Sequence, residues 1–164
     1  MRPDHHTRLR KARAADLPMI YRGELRYMRD IEPENESGWT AALDRNLALW
    51  VDNLDRTVVL EAGTGGDGGS DGDGDGESAG YAMWTATETG RSTLVTIAVT
   101  PRLRGRGLGA RLLGAFAEAA AASGATTLEL GVHRRNPARR LYEREGYAYS
   151  HEEGDYFFYT RAAG

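Results

Sequence analysis

Apolar residues recur along the chain in two periods, and these predict alternating blocks of strand and helix. Apolar–polar alternation and short apolar runs predict seven strands, which are Thr7–Ala12, Thr57–Ala62, Tyr81–Thr87, Ser92–Val99, Thr127–Val132, Tyr147–Ser150 and Asp155–Thr160. Helical spacing predicts four helices, at about 17–27, 38–53, 108–123 and 136–145. The resulting order, β α α β β β α β α β β, indicates a small α/β protein.

One segment interrupts this pattern. Residues 63–80 are mostly Gly, Asp and Ser, which bury too little apolar surface to offset their ordering entropy, so we predict a disordered hairpin loop. The run Asp71-x-Asp73-x-Asp75-Gly76 resembles the opening of a calcium loop. Its twelfth position is Ala82 rather than Glu, and no helices flank it, so no metal site is predicted.

Composition narrows the class of protein. A chain of 164 residues is expected to form a single domain over 1–164, and the absence of cysteine excludes a disulfide scaffold and a cysteine nucleophile. The net charge of −3 comes from five acids in the segment 63–80, and the basic residues are spread out, so no nucleic-acid partner is expected. Without a long apolar run or a secretory signal, we expect no membrane association and a cytoplasmic location. The oligomeric state is left open, a homodimer included.

A glycine-rich turn between a strand and a helix carries the clearest chemical signal. The run is Arg104-Gly105-Arg106-Gly107-Leu-Gly109. Helix N-termini present unpaired amides and partial positive charge, glycines allow close approach, and arginines add charge-assisted hydrogen bonds. The turn therefore predicts a phosphate or pyrophosphate site. The spacing G-x-G-x-x-A, ending at Ala110, also fits a dinucleotide fingerprint, so an oxidoreductase stays an alternative.

Two motifs together resemble the GNAT (GCN5-related) N-acyltransferase superfamily over about Ser92–Tyr147. They are Val99-x-Pro101-x-x-Arg104-Gly-Arg-Gly107-x-Gly109, and Leu130-x-Val132-x-x-x-Asn136 followed by Leu141-Tyr142-x-x-x-Gly146-Tyr147. The resemblance implies a mixed, mostly antiparallel sheet of six to seven strands with about four helices. It also implies acetyl-CoA as co-substrate, bound between the splayed parallel strands Ser92–Val99 and Thr127–Val132.

The resemblance further implies individual roles. Tyr142 would protonate the departing thiolate of CoA, although an aromatic residue at this helical spacing could instead simply pack in the core. Asn136 would contact the cofactor, but the loop after it is one residue shorter than is common in the family. The expected cofactor-binding residues are Ile97, Ala98, Val99, Arg104, Gly105, Arg106, Gly107, Gly109, Ala110 and Asn136.

The general base and the acceptor site are less defined. The strand before the glycine-rich turn has no carboxylate, so the base candidates are His133 (favoured among the side chains), Glu129 and His151, with a water chain to bulk solvent as an equal alternative. An acidic run in the connection after the first helix is either solvated surface or a site that attracts a cationic acceptor. Its residues are Asp30, Glu32, Glu34 and Glu36.

The resemblance predicts transfer of an acetyl group from acetyl-CoA to an amine by direct attack in a ternary complex. A covalent intermediate is not expected, because there is no cysteine and no Ser-His-Asp order is evident. A non-catalytic acyl-CoA-binding module on the same fold is the main alternative, since no base is evident.

Overall fold

The computed structural model describes residues 7–62 and 77–164, which form a seven-stranded sheet of order β1-β2-β3-β4-β5-β7-β6 with helices on both faces. The strands are β1 (Thr7–Lys11), β2 (Thr57–Ala62), β3 (Glu77–Ala86), β4 (Arg91–Val99), β5 (Thr127–His133), β6 (Ala148–Glu153) and β7 (Tyr156–Ala162). The helices are α1 (Leu17–Ile31), α2 (Glu36–Ala41), α3 (Leu43–Asp52), α4 (Leu108–Ala122) and α5 (Arg139–Arg144).

The parallel pair β4–β5 is the feature of the sheet that shapes the site, since the other neighbouring strands are antiparallel. The two strands pair only over their first residues, Arg91–Leu94 with Thr127–Leu130, although both strands continue further. A β-bulge places Val95 outside the β3–β4 register just where this pairing ends. Beyond Leu94, β4 and β5 therefore diverge, and the edge of β4 that faces β5 pairs with no other strand in residues 7–62 and 77–164.

Two apolar clusters fix the helices on opposite faces of the sheet. Phe116 and Leu112 of α4 are fully buried in the larger cluster, together with Leu128 and Leu130 of β5. On the other face, Ile20 of α1 packs in a second cluster whose other buried members are Trp50, Val59, Tyr81 and Met83. No helix within 7–62 and 77–164 is long and apolar enough to cross a membrane.

The predicted elements are confirmed in order, with three corrections. The helix predicted over 38–53 is two helices, because the chain turns at Ala42; the side-chain amide of Asn46 donates to the carbonyl of Trp39 across the break. The acidic run is not one loop, since Asp30 lies in the last turn of α1 and Glu36 is the first residue of α2. Residues 77–80 of the expected disordered loop belong to β3, whereas 63–76, with the Asp71–Gly76 run, lie outside the described residues.

Candidate functional site

A cavity of about 840 Å³ opens where β4 leaves β5. Its walls are the end of β4, the glycine-rich turn, the start of α4, one side of α5 and one side of α1. Most of the expected cofactor-binding residues line it, namely Ile97, Ala98, Val99, Arg104, Gly105, Gly107, Gly109, Ala110 and Asn136, and Tyr142 lines it as well. Arg106 is exposed and is not among the lining residues.

The glycine-rich turn has the geometry of an anion site. Gly105 and Gly107 have φ of 79° and 78°, in the left-handed region that favours glycine, and a side chain at either would meet nothing within 4 Å. Gly107 directly precedes α4, whose first-turn amides, Leu108 to Ala110, have no acceptor among the described residues. The Arg104 Nε donates to the carbonyl of Val99 at 3.2 Å, which holds the guanidinium beside the end of β4. The turn therefore fits a phosphate or pyrophosphate group.

Tyr142 projects from α5 and is only 4% exposed, yet it lines the cavity and its hydroxyl has no hydrogen-bond partner within the described residues. Burial, and secondarily the neighbouring Tyr147, raises the pKa of the Tyr142 phenol above its usual range, so the hydroxyl keeps its proton at neutral pH. The side-chain oxygen of Asn136 accepts a hydrogen bond from the Ala138 amide at 2.9 Å. Asn136 thus orders the entry to the helix that carries Tyr142.

The structure does not bring the favoured base candidate to this cavity. His133 is buried at the end of β5; its Nδ1 accepts from the Arg135 amide at 3.1 Å, and its ring lies edge-on to Tyr156. Glu129 forms an ion pair with Arg91, and the ring of His151 stacks on Phe158. None of the three base candidates is among the lining residues.

A carboxylate that sequence reasoning missed does line the cavity. Glu24 of α1 accepts hydrogen bonds on Oε1 from the Tyr81 hydroxyl at 2.9 Å and from the Thr96 hydroxyl at 2.5 Å. Burial raises the pKa of the Glu24 carboxyl above its usual range, and the two hydrogen bonds lower it by less. The available signal was its spacing, because Glu24 lies four residues from both Ile20 and Met28, which are buried on the same helix face.

The four acids of the predicted acceptor site occupy different environments. Asp30 is exposed and lines the cavity, whereas Glu34 and Glu36 form ion pairs with Arg135 and Arg29. Glu32 is 4% exposed and accepts hydrogen bonds from Tyr27, Tyr156 and Asn35, so it joins the end of α1 to β7. It borders a second, shallower hollow that also includes Glu34. The acids therefore do not form one unpaired negative surface.

Solved structures with the same fold are acetyltransferases. The chain superimposes on PaiA N-acetyltransferase from Thermoplasma acidophilum in complex with coenzyme A, with a TM-score of 0.75 and 15% identity over 95% of this chain and 98% of that one. Ard1 from Thermoplasma volcanium gives a TM-score of 0.71 and 16% identity, over 95% and 97% of the two chains.

N-acetylglutamate synthase from Neisseria gonorrhoeae, complexed with coenzyme A and N-acetyl-glutamate, gives a TM-score of 0.67 and 19% identity; 96% of this chain covers 35% of that one. This chain thus spans about a third of that larger protein. No curated protein matches the sequence significantly.

The family model of the acetyltransferase (GNAT) family matches residues 25–147, which include β4, the glycine-rich turn, β5 and α5. The dinucleotide interpretation of the turn fails, because β4 follows an antiparallel run of strands rather than opening a series of parallel β-α units. The chain belongs to the GNAT acetyltransferase family.

Proposed function

We propose that this protein is an N-acetyltransferase that moves the acetyl group of acetyl-CoA to an amine by direct attack in a ternary complex. The observation that carries the proposal is the convergence, in one cavity, of an anion-binding turn, an unpaired strand edge and the Tyr142 hydroxyl. These three features match the three parts of an acyl-CoA thioester that need recognition, namely its pyrophosphate, its pantetheine amides and its sulfur.

The binding argument follows the turn and the strand. The pyrophosphate takes the amides of residues 105–110, and Arg104 adds charge from the end of β4. The pantetheine arm lies along Ile97, Ala98 and Val99, where the edge of β4 that faces away from β3 pairs with none of the described strands. An amide-bearing arm there restores the backbone hydrogen bonds that the divergence of β5 leaves open.

The chemical argument concerns the two bonds that change. The amine lone pair attacks the thioester carbonyl carbon to form the C–N bond, and the C–S bond then breaks. The sulfur leaves as a thiolate and receives the Tyr142 proton, which that phenol holds at neutral pH. Holding both reactants in one cavity lowers the entropic part of the barrier, and backbone amides at the edge of β4 polarise the carbonyl.

The test is acetyl transfer to a panel of amines with detection of free thiol. The panel consists of L-glutamate, 1,4-diaminobutane, an aminoglycoside and a short peptide with a free amino terminus. L-Glutamate is included because the synthase with the same fold was solved with N-acetyl-glutamate. We expect thiol release that depends on one of these amines and yields the N-acetylated product. Tight binding of acetyl-CoA without transfer to any of them would favour a non-catalytic acyl-CoA-binding module.

A further inference from the structure

The Glu24 carboxylate is built into the wall of the cavity rather than exposed at its rim. Its Oε1 receives both neighbouring hydroxyls, whereas Oε2 accepts no hydrogen bond from any described residue. A carboxylate that lines a cavity, is held through one oxygen and has the other oxygen without a hydrogen-bond donor can receive a proton from a bound group.

Glu24 contacts β4 at the point where β4 and β5 separate. Thr96, which donates to Glu24, is the first residue after the bulged Val95, so it lies where β4 has just left β5. The expected pantetheine contacts begin at the next residue, Ile97. Glu24 is therefore hydrogen-bonded to the residue of β4 that directly precedes the segment along which the thioester would lie.

The approach of α1 to the sheet depends on the residue before Glu24. A Cβ atom at Gly23 would lie 2.4 Å from the Tyr81 hydroxyl oxygen, a distance that real Cβ contacts do not reach. Glycine at this helical position costs about 1 kcal/mol relative to alanine. Here it lets α1 come close enough for Tyr81 to donate to Glu24.

No basic side chain pairs with Glu24 among the described residues, and burial raises the pKa of its carboxyl. A protonated amine entering the cavity supplies the missing positive charge, and a carboxyl with a raised pKa accepts a proton more readily at neutral pH. The other titratable or charged groups around the same cavity come from α1, β3, the glycine-rich turn and the α5 region, and they are Arg22, Arg26, Tyr27, Asp30, Tyr81, Arg104, Tyr142, Arg144 and Glu145.

We propose that Glu24 is the general base of the transfer reaction, that its Oε2 takes a proton from the acceptor ammonium, and that Tyr81 and Thr96 are positioning residues. This inference rests on the proposed acetyl transfer. One ammonium proton passes to Glu24 and then to solvent. The nitrogen loses a second proton to solvent as the C–N bond forms, and a proton from solvent returns to Tyr142 and replaces the one that it gives to sulfur. The products are the N-acetyl amide, the CoA thiol and one proton.

The experiment compares kcat and KM of wild type and Glu24→Gln across pH, with the most active amine of the panel. We expect Glu24→Gln to lower kcat by about 10²–10⁴-fold with unchanged affinity for CoA, and to remove the acidic limb of the kcat profile. Glu118→Gln is the matched control, because Glu118 is exposed on α4 and lines no part of the cavity. It should retain the wild-type rate.

The positioning residues give a second readout that does not depend on whether Glu24→Gln folds. Their hydrogen bonds lower the pKa of Glu24, so Thr96→Val and Tyr81→Phe should move the acidic limb of kcat to higher pH. An unshifted limb in both variants would contradict the proposed base.

The two proposals fail in different ways. A wild-type protein that acetylates an amine while Glu24→Gln keeps its kcat, or changes only KM, would overturn the assignment of Glu24 alone. A wild-type protein that acetylates no amine would overturn both the base and the proposed transfer.

Discussion

Two carboxylates, Glu24 within α1 and Glu32 directly after its end, differ in how many of their oxygens accept hydrogen bonds. Glu32 uses both oxygens, which accept from Tyr27, Tyr156 and Asn35. Glu24, which lines the cavity, accepts from two hydroxyls on one oxygen, and its other oxygen accepts from no described residue. A buried carboxylate whose hydrogen bonds are complete ties elements together, whereas one left incomplete at a cavity can bind or take a proton.

The same contrast applies to the tyrosines. The hydroxyls of Tyr27 and Tyr156 both donate to Glu32, while the hydroxyl of Tyr142, a residue that lines the cavity, has no partner in the part of the chain that the structure describes. Glu24 and Tyr142 line the cavity of the proposed reaction, whereas two buried atoms that also have no partner among the described residues, His133 Nε2 and the Tyr147 hydroxyl, belong to residues that do not line it.

The largest effect is expected from deleting the unpartnered hydroxyl. Tyr142→Phe keeps the ring but removes the proton donor, so turnover should fall by about 10²–10⁴-fold while CoA affinity stays near the wild-type value. Tyr156→Phe is the comparison, because its hydroxyl is already engaged, and it should keep turnover within a few-fold of wild type. Steady-state thiol release measures both. A Tyr142→Phe enzyme that loses stability but not rate per folded molecule would return Tyr142 to a packing role.

Glu32, whose two oxygens both accept hydrogen bonds, should affect stability more than rate. Glu32→Gln replaces an accepting oxygen with an amide that faces donor hydroxyls, and leaving a buried hydrogen bond unmade costs about 1–3 kcal/mol. Urea unfolding should show this loss in the free energy of unfolding, with kcat nearly intact. A stable variant with strongly reduced kcat would mean that Glu32 belongs to the chemistry.

Glu24→Gln should change stability in the opposite direction and with a defined pH dependence. The folded pKa of Glu24 lies above the unfolded value of 4.5, so the folded wild type holds this proton more tightly. Its stability therefore falls as pH rises from about 4.5 through the folded pKa, whereas Glu24→Gln avoids this loss. Melting temperatures should favour the variant at neutral pH and converge below pH 4.5. Equal melting temperatures at neutral pH would show that the carboxylate is well solvated.

The smallest effect concerns the exposed acids. Asp30 has no ion-pair partner in the described ranges, so Asp30→Asn should reduce kcat/KM for a cationic amine by up to about fivefold at low salt, and less at high salt. Glu36→Gln breaks an exposed pair with Arg29 outside the cavity and should leave the salt dependence unchanged. Identical salt slopes in wild type and Asp30→Asn would contradict attraction of a cationic acceptor.

Most of the fold was predictable because each strand carries its own signal in alternation or in a short apolar run. The break at Ala42 was not, since the apolar stripe through Trp39, Leu43 and Trp50 continues across it without Gly or Pro. The cofactor side of the cavity was predictable for the same local reason, because the turn and the first residues of α4 are contiguous in sequence.

The acceptor side depends on contacts between distant segments. Glu24 meets residues 57 and 72 positions away, and no local pattern specifies those hydrogen bonds. The pairing of Glu34 with Arg135 likewise joins residues 101 positions apart, so the sequence alone suggested an unneutralised acidic run.

We propose that the cavity beside β4 is the acetyl-CoA site, and calorimetric titration of CoA tests this proposal most directly. Wild type should bind in the micromolar range, and Arg104→Ala should bind about ten- to a hundredfold more weakly, from the loss of about 1.5–3 kcal/mol per charged hydrogen bond. Gly107→Val should bind more weakly still, because a bulky β-branched residue cannot readily adopt its φ of 78°. Arg45→Ala, on α3 away from the cavity, should match wild type. Unchanged affinity in both Arg104→Ala and Gly107→Val would contradict the claim.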